Sequence, residues 1–310
     1  MRAIGLTRFG GPEVLEPLEL PEPRAGAGQV RIRVHAAAVN PTDTMTRGGT
    51  RPQADPPPYV PGMDAAGVID QIGPGAESRF ELGEAVVALI APQGAYGAYS
   101  ERIVVPAESV VPVPAGVDFV RAATFLMNSM TARLALDAMG LSTGDTLAVT
   151  GAAGAFGGSV VQLAKADGLR VIADAKDGDR ELVRELGADE VVERGDGVAA
   201  RIRELIPGGV PGLADGALLN ERAAEAVADG GTLATVRGWQ GPAGRGIKVF
   251  PVSVRTAVGD TAGLARLVKQ AEEGALSLRV AKVFPAEQAA EAHRLLEAGG
   301  VRGRLVLDFA

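Results

Sequence analysis

Thr146-Leu-Ala-Val-Thr150, running into Gly151-Ala-Ala-Gly154-Ala-Phe-Gly157, is the stretch on which the fold turns. A short apolar run ends in a glycine-rich turn. A helical pattern then spans Ser159 to Asp167, Gly168 stops it, and Val171 to Ala173 reads as a second strand. In the six-residue dinucleotide fingerprint the turn reads Ala152-Ala153-Gly154-Ala155-Phe156-Gly157, with alanine where the first glycine usually stands. Gly154 lets the backbone approach a diphosphate with no Cβ in between. Gly157 allows helix and strand to pack closely, and the helix N-terminus turns N–H groups and a positive dipole end toward phosphate. With a strand before the turn and a helix and strand after it, Gly151, Ala152, Ala153, Gly154, Ala155, Phe156 and Gly157 are expected to cradle a dinucleotide.

Outward from this unit the alternation continues. Asp179 to Leu186 reads as a helix and Glu190 to Val192 as a strand. Val198 to Ile206, Ala217 to Leu219, Glu221 to Ala228 and Thr232 to Val236 carry the pattern on, and Ile247 to Val252 closes it. Strands and helices alternating over short connections predict a doubly wound parallel sheet of Rossmann type.

The flanks read differently. Val30 to Val34 alternates apolar and polar residues, and Ala65 to Ile72, Glu84 to Ile90, Glu101 to Val105 and Val110 to Val113 are short apolar runs between glycine and proline turns. Asp118 can cap a helix through Phe125, and Thr131 to Met139 reads as another. After a helix from Thr261 to Glu273 the tail returns to β character in Leu278 to Phe284 and Arg304 to Phe309, around a helix from Ala286 to Glu297. The expected organisation is a β-rich substrate domain over 1–117 and 258–310, with the Rossmann domain of 118–257 inserted into it.

Bulk composition narrows the chemistry. Thirty-one basic against 38 acidic side chains leave a net charge of −7, which disfavours nucleic acid as the main partner. The chain has no cysteine, which removes disulfides, thiolate catalysis and thiolate metal sites. Met1 to Gly10 lacks a long apolar core and no run of about 18 apolar residues occurs, so a cytoplasmic protein off the membrane is expected.

The end of the second strand discriminates NAD from NADP: an acidic residue there binds the ribose diol, and a cation favours the 2′-phosphate. Here the segment is Ala173-Asp174-Ala175-Lys176-Asp177-Gly178-Asp179-Arg180, and the signals conflict. Lys176 and Arg180 can make charge-assisted contacts to phosphate, whereas Asp174 either chelates the ribose or faces solvent. The reading leans to NADPH, with NADH left open.

The chain resembles the medium-chain dehydrogenase/reductase superfamily, in its zinc-free quinone oxidoreductase (zeta-crystallin-like) branch. The resemblance is carried by Ala36-Ala-Ala-Val-Asn40-Pro-Thr-Asp43, Pro61-Gly-Met-Asp-Ala-Ala-Gly-Val-Ile69 and Gly94-Ala-Tyr-Gly-Ala-Tyr-Ser-Glu101. It continues in Thr131-Ala132, the turn with Val161-Gln-Leu-Ala-Lys165, Leu186-Gly-Ala188 and Gly303-Arg-Leu-Val-Leu307. The resemblance implies a GroES-like catalytic domain, built from both chain ends, around a Rossmann domain. It also implies a homodimer, for which Ile247 to Val254 offers an apolar edge strand.

The zinc ligands of related enzymes fall at Asn40, Met63 and Met127 here, which suit zinc poorly, so no metal is expected. The implied activity is hydride transfer from NADPH to a quinone or an α,β-unsaturated carbonyl. The alternatives are an enoyl-thioester or imine reductase of a biosynthetic pathway, and a non-catalytic NADPH-binding sensor or structural protein. The resemblance places the substrate beside Asn40, Asp43, Tyr59 and Tyr96, with Asn40 as positioning donor and Tyr59 or water as proton source. Thr131, Gly238, Phe250, Val252 and Arg304 are the further cofactor contacts it implies. Asp43 can equally cap its turn, Tyr99 reads as core, and His293 reads as exposed on an amphipathic helix.

Overall fold

The computed structural model describes residues 1–51 and 53–310, and the chain divides into two compact units. In chain order the first strands are β1 (Arg2–Gly5), β2 (Glu16–Glu19) and β3 (Gln29–Ala38). Helix α1 (Pro41–Arg47) and strands β4 (Asp64–Ile72), β5 (Ala85–Leu89), β6 (Arg102–Pro106) and β7 (Val110–Pro112) follow. Next come α2 (Phe119–Ala122), α3 (Leu126–Met139), β8 (Thr146–Thr150), α4 (Ala155–Ala166), β9 (Arg170–Ala175), α5 (Arg180–Glu185), β10 (Glu190–Glu193) and α6 (Val198–Leu205). The chain continues through β11 (Val210–Asp215), α7 (Glu221–Ala224), β12 (Val227–Thr235) and β13 (Lys248–Pro251). It ends in α8 (Thr261–Glu272), β14 (Val280–Pro285), α9 (Ala289–Ala298) and β15 (Arg304–Asp308).

The first unit comprises 1–127, 255–273 and 278–310, so both chain ends build it. Its main sheet runs β14-β15-β3-β4-β5-β7, with β6 also paired to β3. Alternation along β3 turns Val30, Ile32 and Val34 into a core shared with Ile69, Val86, Ile103, Leu305 and Leu307. An expected cut after residue 117 would separate Asp118 and Phe119 from this unit. Instead the Asp118 carboxylate caps α2 through the Arg121 N–H (2.8 Å), and the Phe119 ring stacks on His35 at 4.5 Å.

The second unit comprises 128–254 and 274–277. Its six strands are ordered β10-β9-β8-β11-β12-β13 and every pairing is parallel. Numbered from β8, that is the 3-2-1-4-5-6 order of a Rossmann sheet, with its switch point between β8 and β11. Leu147, Val149, Val171, Ile172, Leu213 and Leu233 are fully buried, as a sheet covered on both faces requires.

Three of the departures from the sequence reading have a direct physical reason. Helix α4 starts at Ala155, not Ser159, because Gly154 is its N-cap and Gly157 in its first turn packs where a Cβ has no room. Helix α3 starts at Leu126, not Thr131, where a carboxylate from β4, Asp64, takes the Met127 N–H. The expected strand over 217–219 is a loop in which Leu218 has φ of 61°; the strand is β11, with Pro211 at a register shift where an interior strand tolerates proline. Among the described residues no helix is long and apolar enough to cross a membrane.

Candidate functional site

In the second unit the glycine turn leaves β8 at the switch point, where a doubly wound sheet opens a crevice for ligands. Gly151 has φ of +68°, and a Cβ there would lie 2.7 Å from the carbonyl carbon of Gly216, so the turn touches the β11 loop directly. A Cβ on Gly157 would come 2.4 Å from the Gly151 oxygen, which ties this glycine to the approach of α4. Gly154 caps α4 in extended geometry (φ −72°, ψ 177°), and the first-turn N–H groups of α4 have no partner within the helix. Phe156 lies over Gly216, where a Cβ would sit 3.1 Å from its ring. The turn thus presents unpartnered helix N–H groups beside backbone that carries no Cβ, the kind of surface that suits an anion.

Two buried carboxylates brace the turn from below. Asp215, closing β11, accepts from Thr150 Oγ1 (2.6 Å), the Ala217 N–H (3.2 Å) and the Asn220 N–H (2.6 Å). Asp174, near the end of β9, accepts the Ala152 N–H through Oδ1 (3.1 Å), and its Oδ2 is buried without a hydrogen bond. Burial pushes the Asp174 carboxyl up and Asp215 adds to that push, while the Ala152 N–H and the charge of Arg194 hold it down. Asp174 therefore faces the glycine turn and not solvent, and is only 2 % exposed. Lys176 and Arg194 follow the ends of β9 and β10, and the Arg194 N–H donates to Ala175 O (3.0 Å). Neither cation is ion-paired among the described residues, whereas Arg180 is held by Asp177 and by Val191 O. Of the other expected cofactor residues, Thr131 is buried in α3 and Gly238 has φ of +84° beside Trp239, whose carbonyl accepts from Thr235 Oγ1. Phe250 is partly exposed on β13, and the Val252 N–H donates to Thr235 O. Arg304 belongs to the first unit.

In the first unit Asn40 and Asp43 meet at the N-terminus of α1. Asp43 Oδ2 accepts the Asn40 N–H (2.7 Å) and the Tyr99 hydroxyl (3.2 Å), and Oδ1 accepts the Gly62 N–H (2.9 Å). Burial raises this carboxyl to about 6 despite those three donors and the nearby Arg304. Asn40 directs Nδ2 at Asp64 Oδ2 (3.1 Å) and at Ala38 O (3.3 Å), so both amide hydrogens are engaged, and no part of the residue is exposed. Asp64 also accepts the Met127 N–H (2.9 Å) and faces Arg304 at 3.6 Å. Arg304 is buried, and its Nε and Nη2 make no hydrogen bond.

The four expected catalytic residues thus separate. Asn40 and Asp43 lie together beneath the surface, Tyr59 is buried with its ring parallel to Phe9 (5.1 Å, 3°), and Tyr96 is 65 % exposed. Sequence reasoning missed Asp64, Arg47 and Arg194, gave Tyr99 packing alone, and placed His293 on the surface. His293 is fully buried, 3.1 Å from the Tyr99 hydroxyl. Its helical spacing carried the signal, since Ala289, Ala292 and His293 share the buried side of α9. At the zinc positions of related enzymes stand Asn40, Met63 and Met127, and among the described residues no three His, Cys, Asp or Glu side chains group as a metal site.

Residues 26–115 match the alcohol dehydrogenase GroES-like domain family, and residues 186–307 the zinc-binding dehydrogenase family. A pig quinone oxidoreductase is 30% identical, with 99% of this chain and 97% of that protein aligned. The rat quinone oxidoreductase is 36% identical over 62% of this chain, and the match spans 58% of that protein's length. Among solved structures, an NAD-dependent alcohol dehydrogenase superposes with a TM-score of 0.89 at 32% identity, covering all of both chains. A mycobacterial protein complexed with NADPH superposes at 0.88 with 30% identity, covering 99% of this chain and 100% of that one.

Proposed function

The chain belongs to the medium-chain dehydrogenase/reductase superfamily of oxidoreductases, and from that premise we propose that it reduces a quinone or an α,β-unsaturated carbonyl with NADPH and without a metal ion. NADPH, when bound, supplies the hydride. The observation that carries the reading is the glycine cradle at the switch point with Asp174 turned inward beneath it. An acid buried beneath the turn and bonded to Ala152 is withdrawn from the rim, where a ribose diol or a 2′-phosphate would sit. The cations at the ends of β9 and β10, Lys176 and Arg194, are left to attract that phosphate. First-turn N–H groups of α4 hold the diphosphate.

On the substrate side, negative charge that grows on the acceptor oxygen needs a hydrogen-bond donor. Asn40 has no hydrogen left to give, and Tyr59 is stacked beneath the surface. Tyr96 is the one phenol of the four candidates that meets solvent, so the donor role passes to Tyr96, and water supplies the proton that completes the reduction. Asn40, Met63 and Met127 offer an amide and two thioethers, a poor set for zinc.

Strand β13 is the edge of its sheet, and it pairs with its counterpart in a second copy to form a homodimer. A mass in light scattering equal to one chain rejects this dimer.

The reading is tested by titrating the protein with NADPH and NADH by fluorescence, then following loss of reduced-nicotinamide absorbance with a panel of quinones and enones. Tighter binding of NADPH and turnover of at least one acceptor class are expected. Binding without turnover across the panel overturns the enzyme reading in favour of a sensor.

A further inference from the structure

We propose that His293 is a positioning residue for this reaction: through Tyr99 and the Asp43 carboxylate it fixes the Gly62 turn, to which the segment carrying Tyr96 is hydrogen-bonded. The inference rests on the reductase reading for its kinetic part only.

Five side chains of the first unit form one line from the surface inward. Glu297, partly exposed, takes two hydrogen bonds from Arg47 (2.6 and 3.2 Å). Arg47 also donates through Nε to Gly10 O (3.1 Å), and its Nη1 lies 3.4 Å from His293 Nδ1. His293 Nε2 is 3.1 Å from Tyr99 Oη, which is 3.2 Å from Asp43 Oδ2. The direction of the protons follows from one end. A guanidinium has only donors, so His293 Nδ1 must accept. The ring proton then sits on Nε2 and donates to Tyr99 Oη, which leaves the phenolic hydrogen for Asp43. Every member is satisfied in this single arrangement, and reversing any link leaves a buried donor facing a donor.

The charged and titratable groups that face the line agree with it. His293 meets Arg47 from α1, whose charge, together with burial, depresses the imidazole to about 3 and keeps it neutral. Tyr99 meets Asp43, Arg304 and Asp64, and burial raises its hydroxyl well above the ordinary value, so it stays protonated. Asp43 meets Arg304 and, more distantly, Arg51. At the inner end Asp43 binds backbone on two separate segments, at Asn40 and at Gly62, and so holds the α1 N-terminus to the turn before β4. Asn40 and Asp64 are the two ends of the next hydrogen bond. Beyond that pair, the Ala98 N–H donates to Gly62 O (3.1 Å) and the Tyr99 N–H to Pro61 O (3.0 Å), so the line that anchors Gly62 also sets where the segment carrying Tyr96 stands.

Two measurements test this. The chain has two histidines, so nitrogen-15 spectra of the imidazoles are easily assigned with a His35 variant. Nδ1 unprotonated and Nε2–H at pH 7 are expected; the opposite tautomer or an imidazolium overturns the proposal. Kinetically, His293→Gln keeps an N–H near the Nε2 position and His293→Leu removes it. His293→Leu is expected to lower kcat by about tenfold or more, within the ~100-fold that a misplacement of about 1 Å can cost. NADPH affinity should be unchanged and most of the loss recovered in His293→Gln. Equal losses in both variants mean packing alone and overturn the proposal. Turnover that ignores His293→Leu sinks it while the reductase reading stands. No turnover by the unaltered protein sinks that reading and the kinetic role with it.

Discussion

Arg304 and Asp64 face each other at 3.6 Å inside the first unit, both almost wholly buried. Asp43, also buried, is close enough to feel the same guanidinium, so one cation serves two carboxylates. Removing it leaves both acids uncompensated. Arg304→Met is expected to destabilise the protein by about 3–5 kcal/mol in urea unfolding, the range for breaking a buried ion pair. Adding Asp64→Asn should restore part of that loss. A single substitution within about 0.5 kcal/mol of the unaltered protein would show that the pair carries no such role.

Acid stability separates two buried groups with opposite signs. Burial raises Asp43 to about 6, so its contribution to stability is full below the unfolded carboxyl value of 3.8 and is lost as pH rises through about 6. Burial and Arg47 lower His293 to about 3, so its contribution is full above 6.5 and is lost as pH falls toward about 3. From pH 4 to 6 the two slopes oppose one another. His293→Gln deletes one of them. Unfolding free energies should shift in the variant's favour by about 1.4 kcal/mol per pH unit between pH 6.5 and 4. A constant gap over that range means that His293 is not held neutral by its surroundings.

Glycines in the turn are expected to fail in different ways. A methyl group on Gly157 would stand 2.4 Å from the Gly151 oxygen, so Gly157→Ala should cost about 1–3 kcal/mol of stability as well as binding. At Gly154 the nearest atom would be 3.1 Å away and φ suits any residue, so Gly154→Ala should fold and chiefly weaken NADPH. Calorimetric titration beside thermal unfolding checks both. Equal binding losses at equal stability would remove the distinction.

Much of this was legible in the sequence, and the rest was not, for identifiable reasons. Unit 2 announces itself because a parallel sheet buries both faces, which writes continuous apolar runs such as Leu147-Ala-Val149 between turns. The glycine turn is legible because backbone geometry dictates residue type locally. Cross-chain hydrogen bonds leave no such trace. Tyr99 and His293 are 194 positions apart, and nothing near either residue names the other. Asp174 was ambiguous because a strand's last residues can turn either way, and the decision was made by the Ala152 N–H on a neighbouring loop. Asn40 stood out as a polar residue of a familiar motif, yet its amide was already committed to Asp64, a contact that only folding brings about.

Exposure makes Tyr96 the phenol to test. Tyr96→Phe should lower kcat several-fold with NADPH affinity intact, whereas Tyr59→Phe should act through packing against Phe9. Steady-state rates with one accepted quinone decide between them. Unchanged turnover in Tyr96→Phe would leave the donor role to water.

Cofactor preference gives the sharpest reading of the second unit. Lys176 and Arg194 follow adjacent parallel strands and neither is ion-paired among the described residues, while Arg180 already bonds Asp177 and Val191 O. Charge-assisted hydrogen bonds contribute about 1.5–3 kcal/mol each, so Lys176→Glu and Arg194→Glu should each weaken NADPH by about tenfold or more. NADH has no 2′-phosphate and should bind these variants nearly as before. Arg180→Ala should cost a little stability and leave the NADPH-to-NADH ratio alone. Affinities for 2′,5′-ADP and 5′-AMP give the same comparison without the nicotinamide. If Arg180→Ala changes the ratio and Arg194→Glu does not, the phosphate sits over α5, and the β10 end has no part in choosing the cofactor.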